Sequence, residues 1–463
     1  MKKKILSELY SLTPSQDTMH FMLKYSLHKQ VMQIPMSMTV EEKIDFGLMK
    51  KALNIEIERN DCMRLRFVKM GREIKQYFIS SYELDNVLTI GFNSKEEQEE
   101  FFNSDAQKPI RFLKDEVFRV VFFTSFDKKS GVYINVCHLN MDATSVFLFF
   151  SDLFAVYHAL KSGEDMPPAL GSFLDIIKKE EAYLANSKKL EADRRFYREF
   201  FLKDGEPFYA GVHGMDMLNK ERQKKKNPAI RVPSAFDPIH DRANMLCLSI
   251  SPDTTREIYE YCQGNSVSVD CLLQLGLRTH CSSINERIDD VYIMSLCSRR
   301  ASPKEKNCGG CMTQPLPARS VISEDKTFAE AIAKQQLVQV ALYRHMNYPY
   351  MDCRRLVQEL YSYSMTASPS CMMFTWLPIS PDALGEGVAF KLEGYNLGRY
   401  IMPLYAFAAP NASQGTIDMY YLYRTSVISK EQIAALHKNT VKVLQAGIKN
   451  PEQTVGDLLD MIG

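Results

Sequence analysis

The chain reads as a mixed α/β (α+β) protein in two lobes, on three observations. Its 463 residues with 45% hydrophobic side chains hold more apolar material than one ordinary core takes up. β-prone runs alternate with helix-periodic runs in both halves. Between them, near residues 205 to 242, lies a stretch with Gly205, Gly211, Gly214 and the basic run Lys220 to Lys226 that has neither period. The expected division is a first lobe over 1–180, a helical connection and loop linker over 181–242, and a second lobe over 243–463.

Taken in order, Pro14 opens a short helix, and Val40 to Arg59 has helical spacing. Val117 to Phe126 is rich in Val and Phe, Asp127 to Gly131 has turn composition, and Val132 to Val136 is again β-prone, which predicts a hairpin. Ala143 to Leu160 carries Val146, Phe149, Phe150, Leu153 and Tyr157 on one helical face, with Asp142 or Thr144 placed to cap it. A charged helical stretch from Lys178 to Phe201 leads into the linker.

In the second lobe, Met245 to Ile250 and Asp290 to Leu296 are β-prone, and Pro252 to Cys262 and Val269 to Ile284 are helical. A helix over Phe328 to Tyr343 ends before Pro349, and strands are expected at Met372 to Trp376, Val388 to Leu392 and Thr416 to Tyr423. Ser429 with Gln432 makes a capping box, Ile433, Leu436, Val443 and Leu444 supply the apolar face, and Asn450-Pro451 stops the last long helix.

A net charge of +1 provides no global field to gather nucleic acid or an anionic membrane. The longest apolar stretch, Val146 to Leu160, is interrupted by Asp152 and His158 and is short for a bilayer, so no membrane span is expected. The eleven cysteines follow no secreted spacing, and Met1-Lys2-Lys3-Lys4 precedes too short an apolar run for a signal peptide, which fits a reducing cytoplasm. Cys308-Gly309-Gly310-Cys311 has redox or zinc spacing but no second Cys or His pair beside it, so the structural reading is favoured and no metal is expected. The Lys220 to Lys226 run fits a solvated loop better than a docking patch.

The informative segment is Val136-Cys137-His138-Leu139-Asn140-Met141-Asp142-Ala143-Thr144-Ser145, a His-x-x-x-Asp step between a strand and a helix. On spacing alone, a rim histidine beside a helix-capping Asp is the plainer reading. The step gains weight from its surroundings. Tyr10-Ser11-Leu12-Thr13-Pro14-Ser15-Gln16, Arg59 to Phe67, Cys137 to Ala143, Gly171 to Asp175 with Arg195-Phe196-Tyr197, Cys308 to Arg319, and His345 to Tyr350 follow one another along most of the chain. In order and spacing these six resemble the motifs of the condensation-domain superfamily of nonribosomal peptide synthetases, whose signature is His-His-x-x-x-Asp-Gly. This chain departs from the pattern at Cys137 for the first His, Ala143 for the Gly, and Gln314 for an Asn. If the Gly position requires positive φ, a Cβ interferes there; if it supplies only its N–H, alanine serves.

The resemblance implies two chloramphenicol-acetyltransferase-like lobes in a V, with His138 near their junction and a channel open at both faces. It implies an acyltransferase with no permanently bound cofactor. Such an enzyme moves an acyl or aminoacyl group from a phosphopantetheine thioester, on a carrier protein or coenzyme A, to a small-molecule amine or hydroxyl acceptor. With no room for a fused adenylation or carrier domain, the chain is expected to act freestanding, with its carrier in trans. His138 is the expected general base and the Ala143 N–H the expected oxyanion donor. Carried over by position, Arg64 is the expected buried partner of Asp142, a structural pair. Gln314 is a candidate to bond an acceptor or the pantetheine arm, and equally a strand-end amide that satisfies backbone. Arg319 and His345 read as structural. Rival readings are a coenzyme A-dependent alcohol O-acyltransferase of the same superfamily and a silent module that binds carrier proteins.

Overall fold

The structure, a computed structural model, describes residues 8–114, 116–370, 372–378 and 389–463. The chain forms two compact units that are discontinuous in sequence. The first takes the described parts of Met1–Ser187 and Ile379–Leu397 together with Ser298–Thr313; the second takes Lys188–Cys297, Gln314–Pro378 and Gly398–Gly463. The contiguous division expected from sequence differs from this. Lys188 to Arg242 is no free linker, because Tyr209, Ala210 and Val212 are buried in the second unit's core. The lysine run lies on a helix, Asp216–Lys225, rather than in a loop.

In the first unit a five-stranded sheet has the order Phe390–Gly394, Gln33–Val40, Ser130–Cys137, Phe118–Thr124, Leu88–Gly91, antiparallel except for the last pair. Alternation along the strands gives it two apolar faces. On one, Val121, Phe123 and Tyr133 pack with Phe102 of the helix Lys95–Ala106, and Phe102 stacks on Tyr133 at 4.4 Å between centroids. On the other, Phe122 stacks on Phe46, the first residue of the helix Phe46–Arg59. Gly131 sits where a Cβ would lie 2.3 Å from the Phe123 ring, so that ring owes its place to the missing side chain.

The long helix Ala143–Ser162 is capped by Asp142, whose side chain accepts from Ser145 N, and it ends on left-handed Gly163. By length and composition it is apolar enough to cross a membrane, being longer than the run expected from sequence. Half of its twenty residues are buried inside the protein, which accounts for that composition. A smaller sheet, Tyr10–Ser11, Glu73–Phe78 and Leu65–Met70, completes the unit with the helix Pro14–Tyr25.

In the second unit six strands run in the order Gln314–Val321, Asp290–Cys297, Met372–Trp376, Leu404–Asn411, Thr416–Arg424, Ala243–Ile250. The helix Val269–Ser283 is buried along nearly its whole length, with Lys430–Lys449, Phe328–Arg344 and Val455–Ile462 contributing to the same core. Lys430–Lys449 begins with the expected Ser429/Gln432 capping box.

Several elements differ from the sequence expectation. Val40 ends a strand, and the helix starts only at Phe46, where Asp45 caps Gly47 and Leu48. The stretch Lys178 to Phe201 is two helices, Phe173–Ala185 and Ser187–Lys203. The strand expected from Val388 runs Phe390–Gly394, and Val388 itself lies outside the described residues.

Candidate functional site

The strand Ser130–Cys137 delivers His138 at its end, where the His138 N–H donates to Met32 O at 3.0 Å. Cys137 O then accepts from Asn140 N at 2.9 Å and Met141 N at 3.3 Å, closing a tight turn before the helix. Three side-chain tethers fix that turn. Gln16 Nε2 donates to Leu139 O at 2.9 Å, Asn140 Nδ2 donates to Cys62 O and Leu65 O at 3.0 and 3.1 Å, and Asp142 anchors the far end.

Asp142 is bound from every side. Its Oδ1 accepts from Ser145 N at 2.9 Å, and its Oδ2 from Arg300 Nη1 at 2.8 Å, Met312 N at 2.9 Å and Thr313 N at 3.0 Å. The Asp142 and Arg300 side chains are 1% and 2% exposed. Arg300 also donates to Ser145 Oγ at 2.7 Å, Gly310 O at 3.1 Å and Ser298 O at 3.3 Å. Ser145 Oγ lies 3.0 Å from Asp142 Oδ1 and 2.5 Å from Gly310 O, and with a single hydrogen it donates to one of them. Burial alone would raise the Asp142 carboxyl; the Arg300 charge and the hydrogen bonds outweigh it and hold the group below the usual carboxylate range.

Arg64 is therefore not the partner of Asp142. Its guanidinium donates to Ile57 O, Glu58 O, Ile79 O and Ser80 O at 3.1 to 3.2 Å, taking up carbonyls at the end of the helix Phe46–Arg59. Its own geometry thus commits it to backbone, and the bracing arginine is Arg300, 158 residues from Asp142.

The imidazole of His138 is half-buried. Burial moves it below the ordinary histidine value, while backbone hydrogen bonds at His138 and Met141 and the Asp142 charge act against the shift. The neutral ring is favoured, with Cys311 Sγ 4.0 Å from Nδ1. Ala143 is the first residue of the helix and is not among the residues with positive φ, so its Cβ meets no backbone penalty. As the first helical residue, it has an N–H with no partner inside the helix, at the end of the dipole that favours negative charge.

The Cys-Gly-Gly-Cys run is part of this loop. Cys308 and Cys311 are each 1% exposed and unpaired, and no group able to hold a metal occurs among the described residues. Its glycines are spacers: a Cβ on Gly309 would lie 2.3 Å from Asn60 Oδ1, and one on Gly310, at φ +123°, 2.1 Å from the Phe173 ring.

Gln314 stands at the start of its strand in the second unit, fully buried. Its Nε2 donates to Met346 O at 2.5 Å and Tyr348 O at 2.9 Å, while its Oε1 has no partner among the described residues. Arg319 makes a two-pronged pair with Asp290, both bonds 2.8 Å, and His345 Nδ1 lies 2.6 Å from Asp193 Oδ1 with its ring stacked on Phe196. Both are structural contacts of the second unit.

Sequence reading missed Gln16 as a tether, Ser145, Arg300 and Cys311. The available signal for Arg300 is the pair Arg299-Arg300 just past the apolar strand Asp290–Cys297. Arg299 is also buried, on Glu180 at 2.6 Å and Ser15 at 3.1 Å.

The family model "Condensation domain" matches residues 7–461. Surfactin synthase subunit 1 of Bacillus subtilis (strain 168) is 24% identical over 97% of this chain, and the dimodular nonribosomal peptide synthase of the same organism is 20% identical over 92%. The chain spans only 12% and 18% of the length of these two relatives. Among solved structures, the first condensation domain of the calcium-dependent antibiotic synthetase, in complex with a substrate analogue, superposes with a TM-score of 0.80 at 16% identity. That match covers 97% of this chain and 99% of the other. The starter condensation domain of rhizomide synthetase, solved as a mutant with C8-CoA and Leu-SNAC, gives 0.79 at 14% identity over 96% of each chain. With a family match across nearly its whole length and the fold of these solved domains, the chain belongs to the condensation-domain family of amide-bond-forming acyltransferases.

Proposed function

We propose that this chain transfers an acyl or aminoacyl group from a phosphopantetheine thioester, on a carrier protein or coenzyme A, to an amine or hydroxyl, with His138 as general base. One observation carries the reading. A half-buried imidazole biased to its neutral form stands on a turn tethered at Leu139, Asn140 and Asp142, directly before an apolar helix whose first N–H, that of Ala143, has no partner inside the helix. A neutral imidazole is matched to taking a proton near pH 7. As the acceptor's nitrogen or oxygen attacks the thioester carbonyl, its proton passes to His138. The oxyanion that forms is stabilised at the helix start, with the Ala143 N–H as donor. When the C–S bond breaks, the proton leaves His138 for the thiolate, and thiol and amide or ester part.

In this reading Asp142 and Arg300 brace the turn and take no proton. Gln314 holds the Met346 to Tyr348 turn through its nitrogen, and its Oε1 is the only part of it left for a substrate. A reducing cytoplasm, expected from the cysteine spacing, is the compartment that goes with this reading.

The test is turnover by the parent and His138→Ala with acyl-coenzyme A and acyl-carrier thioesters against pooled amines and alcohols, read by mass spectrometry. Amide or ester that disappears in the variant supports the reading, and the preferred donor separates carrier from coenzyme A. Product that persists in His138→Ala overturns the assignment of the base. A folded parent that binds carrier protein and makes no product points instead to a docking module, the reading that the Cys137 and Ala143 departures favour.

A further inference from the structure

We propose that Cys311 is a positioning residue for His138: its Sγ, 4.0 Å from Nδ1, holds the ring with its proton on Nδ1 and leaves the Nε2 lone pair to receive the acceptor's proton. The inference rests on the general-base reading of His138.

Three features place the sulfur. On one side of Cys311, Gly310 has φ +123° and its backbone is pressed against the Phe173 ring, while Gly310 O accepts from Arg300 Nη2 at 3.1 Å and lies 2.5 Å from Ser145 Oγ. On the other side, the Met312 and Thr313 N–H groups both donate to Asp142 Oδ2. Cys311 is therefore held between two points of backbone fixed to the Asp142–Arg300 pair, and its side chain is 1% exposed. Burial, with the Asp142 charge nearby, keeps the group a thiol at neutral pH, so the sulfur meets the ring without a counter-charge and, in the proposed tautomer, as a weak acceptor from Nδ1–H. The backbone at His138 and Met141 adds hydrogen bonds to the ring. An imidazole whose Nδ1–H has an acceptor keeps its basic lone pair on Nε2, because the tautomer follows the bond made by the other nitrogen. The Cys-Gly-Gly-Cys spacing thus acquires a use: two glycines let the backbone pass Asn60 and Phe173 and bring the second sulfur to the ring.

Three variants separate polarity from packing. Cys311→Ser keeps an acceptor, Cys311→Val keeps volume without one, and Cys311→Ala removes both. With ¹⁵N-labelled histidine, the two-bond ¹H–¹⁵N spectrum reports the His138 tautomer, assigned by the signals lost in His138→Ala. The parent and Cys311→Ser should show Nδ1–H, and Cys311→Val and Cys311→Ala a mixture. In turnover, Cys311→Val should lower kcat about tenfold at unchanged KM, a fraction of the 10²- to 10⁴-fold that a placed base contributes, and Cys311→Ser should recover most of it. An Nε2–H tautomer in the parent overturns the proposal before any variant is made. So does Cys311→Val matching the parent while Cys311→Ser falls, the pattern of a packing role. The tautomer measurement needs no substrate, so it decides the role of Cys311 even where absent turnover sinks the acyl-transfer reading.

Discussion

Replacing Asp142 by Ala takes the acceptor from four groups that donate to it, Arg300 Nη1 and the N–H groups of Ser145, Met312 and Thr313, and removes the cap of the helix Ala143–Ser162. Arg300 stays buried on carbonyls and Ser145 Oγ, without a counter-charge. Stranding a buried charge in this way costs about 3 to 5 kcal/mol. A unit of this size loses roughly 2 to 4 °C per kcal/mol, so the Tm of Asp142→Ala should fall by about 10 °C. Because pairing lowers the folded-state pKa of Asp142, its contribution is present above the unfolded value of 3.8 and is lost only as pH falls through the lower folded one. The deficit should therefore be constant from about pH 5 to pH 8.

The assay is urea unfolding followed by circular dichroism on Asp142→Ala, Arg300→Met and the double variant, which should recover about 2 kcal/mol relative to the sum of the singles. Arg64→Met serves as control and should show no coupling with Asp142→Ala. A Tm for Asp142→Ala within about 2 °C of the parent, or coupling to Arg64 in place of Arg300, would refute the reasoning.

Other outcomes follow from the same geometry. Ala143→Pro deletes the proposed oxyanion donor at a helix position that proline favours, after an Asp142 already extended at φ −101°, ψ 176°. Turnover should drop about 10²- to 10³-fold with Tm nearly unchanged, and full turnover would remove Ala143 from the mechanism. Since the His138 pKa is lowered, its free base persists into mild acid, and the acid limb of the kcat/KM profile should fall below 6.5; an inflection at or above 6.5 counts against it. His213, buried with neither ring nitrogen partnered among the described residues, is pushed down to about 4. The folded state resists protonating it, so stability is complete above 6.5 and declines as pH falls toward 4, by about 3 kcal/mol. His213→Leu should flatten that decline in urea midpoints at pH 7.5, 5.5 and 4, with Asp270, raised to about 6, adding an opposite trend to parent and variant alike. Parallel curves would show that His213 is not the group responsible.

What sequence reveals here follows from the range of the forces that write it. The hairpin before His138, the helix after it and the capping boxes are legible because their signals lie within a few residues of one another. Two inner strands with internal proline, Gln33–Val40 and Leu404–Asn411, are not, since proline argues against an inner strand. Each is tolerated just past the end of one neighbouring strand, where no ladder N–H is asked of it. Phe390–Gly394 pairs Met36 to Val40, after which the Tyr395 N–H needs only the Pro35 carbonyl, and Met372–Trp376 pairs Tyr405 to Ala408, its ladder ending before Pro410 among the described residues. His138, Asp142 and Ala143 are visible as a local motif. The arginine that braces them is not, because a partner 158 residues away leaves no spacing to read and Arg64 sits in a motif that suggests it.

The outer strand of the first unit's sheet, Phe390–Gly394, also sets an order of events during synthesis. A nascent chain that has emerged through Ser187 carries four of that sheet's five strands and no Arg300. Until roughly 200 more residues leave the ribosome, on the order of 10 to 40 s at ordinary elongation rates, Gln33–Val40 presents a bare, methionine-rich edge. Early in that interval the His138 turn lacks its brace. The segment most exposed to mispairing or chaperone capture is thus made well before the residues that protect it.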